Sequence, residues 1–242
     1  PSYNAEIVSG EKELKNRPVV VGFGPAGIFA ALLLAEKGYK PLVIERGEDV
    51  DKRTETVDKF WETGELNTES NVQFGEGGAG AFSDGKLTTR IKDTRCDYVL
   101  RELVRAGAPG EITYVAKPHV GTDLLKGVVK NIRERIKELG GEVLFSSKLE
   151  DIKTEDDRVK SIIVNGKEIG CENLIVAIGH SSRDTYEMLH KREVFMQPKA
   201  FAIGVRIEHP QELINKSQYG DMYQHPKLKA AEYKLTYQSE KL

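Results

Sequence analysis

Cysteine is scarce: Cys96 and Cys171 are the two present in 242 residues. No Cys-x-x-Cys pair and no His/Cys cluster occurs, so a structural zinc site or a dithiol redox motif has no ligand set, and no metal is expected. Two isolated thiols suit a reducing compartment. Long apolar runs are also missing. No stretch reaches the roughly 18 apolar residues of a membrane span. The leading residues PSYNAEIVSGEKELKNR are polar and lack a signal-peptide core. Charge of one sign is not in excess either, with 36 Lys+Arg against 38 Asp+Glu and a net charge of −2. The chain as a whole therefore has no electrostatic drive toward nucleic acid or anionic lipid. These absences predict a cytoplasmic protein with a small-molecule substrate and neither a nucleic-acid nor a membrane partner. They leave the oligomeric state open. A start at Pro1 rather than Met suits a processed product or a fragment.

What is present is enough apolar residue, 39%, for a sizeable core, under a surface rich in charge, 31%. Pro18 to Val21 is a short apolar run of the kind buried on both faces of a parallel sheet. Pro25 to Lys37 reads as a buried helix stopped by Gly38, and Pro41 to Ile44 as a second strand ending at Glu45. This is a βαβ unit. Helices are predicted over Val50 to Thr63, Thr94 to Ala106, and from a Thr122 cap to Leu139. Glu142 to Phe145 is a further strand. Short strands at 149–153, 159–164 and 167–169, with the type I′ hairpin signal Asn165-Gly166, predict an inserted antiparallel meander. Leu174 to Ile178 returns to a parallel-type strand ending in Gly179. A helix over 182–190, a strand over 200–207, a helix over 210–216 and an alternating run over 233–237 follow.

Chemistry concentrates in glycine. Gly22-Phe23-Gly24-Pro25-Ala26-Gly27 fits G-x-G-x-x-G between a strand and a helix, with the acidic Glu45 at the next strand end. In that context Gly22 permits a tight turn and Gly24 lets a pyrophosphate approach the backbone. Gly27 lets helix and strand pack, and the helix start offers free amides and a positive dipole end. Glu45 is placed to accept from ribose hydroxyls, and its charge opposes a 2′-phosphate. A ligand-free glycine turn would not need Glu45. A second match, Gly75 to Gly80, lacks a good strand before it and a good helix after it. It reads either as a flexible surface loop or as a segment that lets backbone approach a flat ligand.

Taken together, Val20-Val21-Gly22 through Glu45-Arg46-Gly47, with Gly-Pro-Ala-Gly and the Leu174–Gly179 strand end, resemble the glutathione-reductase-like FAD-dependent oxidoreductases. Phe74 to Leu87, Gly179-His-Ser-Ser-Arg-Asp184 and Phe201 to His209 resemble, more narrowly, a bacterial family of NAD(FAD)-utilising dehydrogenases. The resemblance implies an α/β fold: a Rossmann-like FAD-binding parallel sheet with an inserted β-meander and a second β-rich region. It implies a lead-in at 1–17, a discontinuous dinucleotide-binding domain at 18–80 and 120–184, and an incomplete substrate-side region at 81–119 and 185–242. It further implies that Gly22, Gly24, Pro25, Ala26 and Gly27 hold the FAD pyrophosphate and Glu45 the ribose, with Arg46, Lys148 and Leu149 toward the adenine. Gly78, Ala79, Gly80 and Ser83 would approach the flavin or ribityl chain, and Ala177 and Gly179 would pass beside the cofactor. NAD(P)H would serve as a transient reductant. The family's late Gly-Asp strand end is not found here, which fits a fragment lacking its flavin-closing segment.

No catalytic residue is assigned. His180 follows the strand end and suits an acid–base role, or a cap for the next helix. Lys86 and Arg206 could place positive charge near a reduced flavin, or form surface ion pairs. Cys96 and Cys171 read as packing residues. The function implied is an FAD-dependent oxidoreductase, a dehydrogenase of unassigned substrate. The alternatives are an NAD-dependent dehydrogenase using the single fingerprint, a flavoprotein that modifies RNA, and a non-catalytic fragment binding FAD weakly or not at all.

Overall fold

The computed structural model describes residues 10, 13–82, 85–87, 89, 91–115, 118–201, 203–205, 207–233 and 235–237. It divides into two compact units, one running to Met196 and the other starting at Gln197. In the first unit the chain forms β1 (Val19–Val21), α1 (Pro25–Glu36), β2 (Leu42–Ile44) and α2 (Val50–Thr63). A 3₁₀ turn at Gly78–Phe82, α3 (Arg95–Arg105) and a second 3₁₀ turn at Gly110–Thr113 precede the long α4 (Thr122–Glu138). Then come β3 (Glu142–Leu144), the meander β4 (Leu149–Glu155), β5 (Arg158–Val164) and β6 (Lys167–Gly170), then β7 (Leu174–Val176) and α5 (Arg183–Lys191).

The parallel strands pair in the order β3-β2-β1-β7. β1 sits between β2 and β7, with Val20 opposite both Val43 and Ile175. Side chains alternate between the two faces of a sheet, and here both faces are covered. Val20 and Val43 join Phe23, Ile28, Leu32, Leu103, Val128 and Ile132 in a core under α1, α3 and α4. Val19, Val21, Leu42 and Ile44 face the other way, into a core with Leu149, Ile152, Ile162, Val164, Cys171 and Leu189. This double burial explains why β1 and β2 read as unbroken apolar runs.

The antiparallel meander pairs in the order β4-β5-β6. Its two turns use residues of positive φ: Asp156 (+50°) and Asp157 (+57°) join β4 to β5, and Asn165 (+46°) and Gly166 (+73°) join β5 to β6. Positive φ at both central positions is the type I′ geometry that suits the right-handed twist of a hairpin. Ile162 stands opposite Ile152 on one side and Ile169 on the other, and it is fully buried against the parallel sheet.

Several local expectations differ from what forms. Thr94 and Gly121 occupy the positions before α3 and α4, and neither helix has a side-chain cap, so Thr122 is the first helical residue rather than the cap. The second region is poorer in strand than expected. Among its described residues it carries α3, part of α5, a helix at Gln211–Tyr219, 3₁₀ turns and an isolated Lys86–His119 bridge. The apolar residues of α3, Val99, Leu100, Leu103 and Val104, recur at helical steps and pack on the α1–α4 core.

The second unit holds α6 (Gln211–Tyr219) and a 3₁₀ turn at Gly220–Met222. The Gln211 side-chain amide donates to the Ala231 carbonyl (2.9 Å), and the Ala231 amide donates to Asn215 Oδ1 (2.8 Å), which docks the tail on α6. The described residues of 200–207 and 233–237 form no strand. An alternating pattern becomes a strand only when a ladder partner satisfies its backbone, and none is paired with either run among the described residues. No described helix is long and apolar enough to cross a membrane.

Because Ile162 is buried where the two sheets meet, Ile162→Ala is expected to cost about 2–5 kcal/mol, read as a lowered midpoint in chemical denaturation at unchanged slope.

Candidate functional site

The three glycines of the first turn meet different surroundings. Gly22 has φ +95°, and a Cβ there would lie 2.5 Å from the Ala177 carbonyl oxygen, so both its conformation and the approach of β7 exclude a side chain. At Gly27 a Cβ would lie 1.8 Å from the Gly22 oxygen, inside the turn itself. Gly24 differs: the nearest atom to a Cβ there is Gly78 Cα at 3.8 Å. Its open side faces a cavity of about 660 Å³, within the size range of ligand sites. Gly24 is also the N-cap of α1, Pro25 opens the helix, and no side chain caps it. The amides of Ala26 and Gly27 thus lack an intrahelical or capping partner, while Ile28 donates to the Gly24 carbonyl, and the positive dipole end is directed at the cavity wall formed by Gly24, Pro25 and Ala26.

Glu45 is 4% exposed and points back to this turn. Its Oε2 accepts from the Phe23 amide (2.7 Å), and its Oε1 accepts from the amides of Gly47 (2.9 Å) and Gly75 (3.0 Å). A carboxylate offers about four lone-pair sites, so these three donors leave one acceptor site on Oε2. The carboxylate lines the cavity.

The second glycine run docks on the first. Gly77 donates to the Phe23 carbonyl (2.9 Å), and Gly75, Gly77 and Gly78 all have positive φ. Arg53 lies fully buried beneath it. Its guanidinium donates to the carbonyls of Asn71, Val72, Glu76 and Gly78 at 2.6–2.9 Å and stacks on Phe82. Burial lowers the Arg53 pKa to about 10, well inside the charged range at neutral pH. Glu76 is equally buried. Its Oε2 accepts from the Val50 amide (2.8 Å) and from Arg133 (2.8 Å), while Oε1 has no partner. Burial pushes this carboxyl up to about 7.

At the far end, four charged side chains form an alternating ring. Arg46 meets Glu69 at 2.7 Å and Asp184 at 2.9 Å, and Lys148 meets Asp184 at 2.7 Å and Glu69 at 3.4 Å. The Arg46 guanidinium also covers the Phe74 ring at 4.4 Å. The hydrogen bond from Arg46, followed by that from Lys148, holds the Asp184 carboxyl well below the usual carboxylate range.

Residues 200–242 match the family model described as "FAD-dependent protein, C-terminal domain-like". Over 236 residues the chain is 75% identical to an uncharacterized protein of Clostridium beijerinckii, covering 98% of this chain and 44% of that one. It is 30% identical over 158 residues to a thiamine thiazole synthase of Aeropyrum pernix, covering 64% of this chain and 46% of that protein. It is 23% identical over 167 residues to an FAD-dependent monooxygenase of Hypoxylon pulicicidum, covering 68% and 37%. The chain thus spans less than half the length of the curated relatives it matches. Among solved structures, THI4 of Thermovibrio ammonificans aligns with a TM-score of 0.47 and 17% identity over 74% of this chain and 62% of that one.

Of the residues singled out from the sequence, Gly22, Gly24, Pro25, Ala26, Glu45, Arg46, Gly78, Ala79, Leu149, Ala177 and Gly179 line the cavity. Gly27 is buried behind the turn, Gly80 is outside the lining, and Ser83 and Arg206 lie outside the described residues. His180 is on the cavity wall and exposed, and it makes no cap to α5. Lys86 forms the bridge with His119, away from the cavity lining. Cys96 and Cys171 are free, and no metal-binding group of side chains occurs among the described residues. Sequence reasoning missed Phe74, Gly75, Ser147, Thr185 and Tyr186 as lining residues. Phe74 and Gly75 sat within the glycine stretch already noticed, whereas Ser147 and Tyr186 carry no local signal.

Glu76 sets a pH dependence whose sign is fixed. A carboxyl whose folded-state pKa lies above its ordinary 4.5 stabilises the fold fully below 4.5 and loses that contribution as pH rises through about 7. Thermal stability is therefore expected to fall between these values, and Glu76→Gln to flatten that part of the profile in pH-dependent melting.

Proposed function

We propose that this chain is the cofactor-holding part of an FAD-dependent oxidoreductase, a dehydrogenase acting on a small-molecule substrate, with the FAD pyrophosphate on the Gly22–Gly27 turn. The observation that carries this is Gly24: an open, side-chain-free position at an uncapped helix start, bordering a cavity of about 660 Å³. The residues fit the group. The first-turn amides of α1 would receive the negative phosphates, and the remaining lone pair of Glu45 would accept from a ribose hydroxyl. Arg46, Lys148 and Leu149 would border the adenine, and Gly78 and Ala79 would let the ligand pass close to backbone.

When bound, FAD supplies hydride acceptance and donation at its isoalloxazine ring. The chain itself binds and orients. The two glycine loops are locked together by Glu45 and by the Gly77–Phe23 hydrogen bond, with Arg53 bracing the second loop, so the cradle is shaped before ligand arrives, which lowers the ordering cost of binding. Exposed His180, on the cavity wall, would be placed to exchange a proton with substrate. NAD(P)H would act as a transient reductant, without a second fingerprint to hold it.

A ligand that binds only the folded state adds about 2.7 kcal/mol of stability at a hundredfold excess over its Kd. Titrating FAD is therefore expected to raise the melting temperature progressively. Gly24→Val, whose side chain has room in the apo fold, is expected to melt close to wild type without FAD and to show no rise with it. A wild-type melting temperature indifferent to millimolar FAD would overturn the proposal.

A further inference from the structure

The ring at the far end of the cavity has a consequence for which nucleotides the site accepts. Arg46 and Lys148 both line the cavity beside Glu45. Left alone, an arginine fork and a neighbouring ammonium form a ready receptor for a phosphate group. Here they are already engaged. Arg46 donates from Nε and Nη2 to Glu69 and from Nη1 and Nη2 to Asp184, all at 2.7–3.0 Å. A guanidinium has five donors, so one remains. Lys148 meets the same two carboxylates. The ring sums to zero charge.

The four partners come from separate parts of the chain. Arg46 follows β2, Glu69 lies between α2 and the 3₁₀ turn, Lys148 precedes β4, and Asp184 opens α5. Partly exposed ion pairs contribute little to stability, but charges arranged against a competing ligand give selectivity.

The geometry points to Glu69 and Asp184 as specificity-determining residues: by engaging Arg46 and Lys148, they withhold both cations from a phosphate on the nucleotide's ribose and restrict the cavity to adenine nucleotides lacking it. The inference rests on the FAD reading above, because it needs an adenosine ribose near Glu45.

The test is calorimetric titration with two probes, ADP-ribose and ADP-ribose carrying a 2′-phosphate. The wild type is expected to bind ADP-ribose at least about tenfold more tightly, a gap of about 1.4 kcal/mol. In Glu69→Gln/Asp184→Asn the gap narrows by about tenfold or reverses, and adding Lys148→Gln to that variant restores part of it. Glu69 is half-exposed on a connection outside both cores, so Glu69→Gln alone keeps the fold and narrows the gap severalfold. A gap unchanged in the folded single or double variant overturns the inference while leaving the FAD reading intact. Wild-type protein that binds neither probe overturns both.

Discussion

Three backbone amides from separate parts of the chain converge on one buried carboxylate. Phe23 belongs to the first glycine turn, Gly47 follows β2, and Gly75 begins the second glycine run. An ionised carboxylate is costly to bury unless it is hydrogen-bonded, and amides at loop ends are costly to leave without an acceptor. Glu45 resolves both demands at one point. In doing so it ties the two glycine loops together beside the cavity. The second loop has no regular ladder of its own, so its shape follows from this carboxylate above and from the Arg53 guanidinium below.

Charge serves two structural purposes around the cavity. Beneath the second loop it is buried and satisfied by backbone: Arg53 takes four carbonyls, and Glu76 ties the start of α2 to α4 through Val50 and Arg133. This arrangement is rigid but incomplete, since one oxygen of Glu76 has no partner. Around Arg46 the charges are mutually neutralising, with Glu69 and Asp184 about half-exposed and Arg46 largely buried. The start of α1, by contrast, presents no cationic side chain to the cavity, only helix-end backbone.

Much of the first unit was legible because its signals are local. Val19 to Val21, the glycine turn, the α1 run and Asn165-Gly166 each specify geometry through the residues themselves. Legibility failed where a segment depends on partners far along the chain. The alternation of 200–207 resembles a strand, yet strand formation is a property of a pair. Residues 81–119 likewise lack the apolar alternation of a sheet, and Val99 to Val104 follow helical steps onto the α1–α4 core. Within the site, Ser147 and Tyr186 border the cavity only because the meander and α5 fold over the sheet.

By itself the sequence determined the βαβ start, the three glycine positions, the carboxylate at the end of β2 and the Asn165-Gly166 turn, because each depends on sterics or propensity within a few residues. Only the tertiary structure decided that Gly24 is the glycine left open while Gly22 and Gly27 are packed against backbone. It also decided that Glu45 spends most of its acceptor capacity on the protein itself, and that Arg46 and Lys148 are neutralised by Glu69 and Asp184. These outcomes turn on distances between segments remote in the chain, which no local pattern encodes.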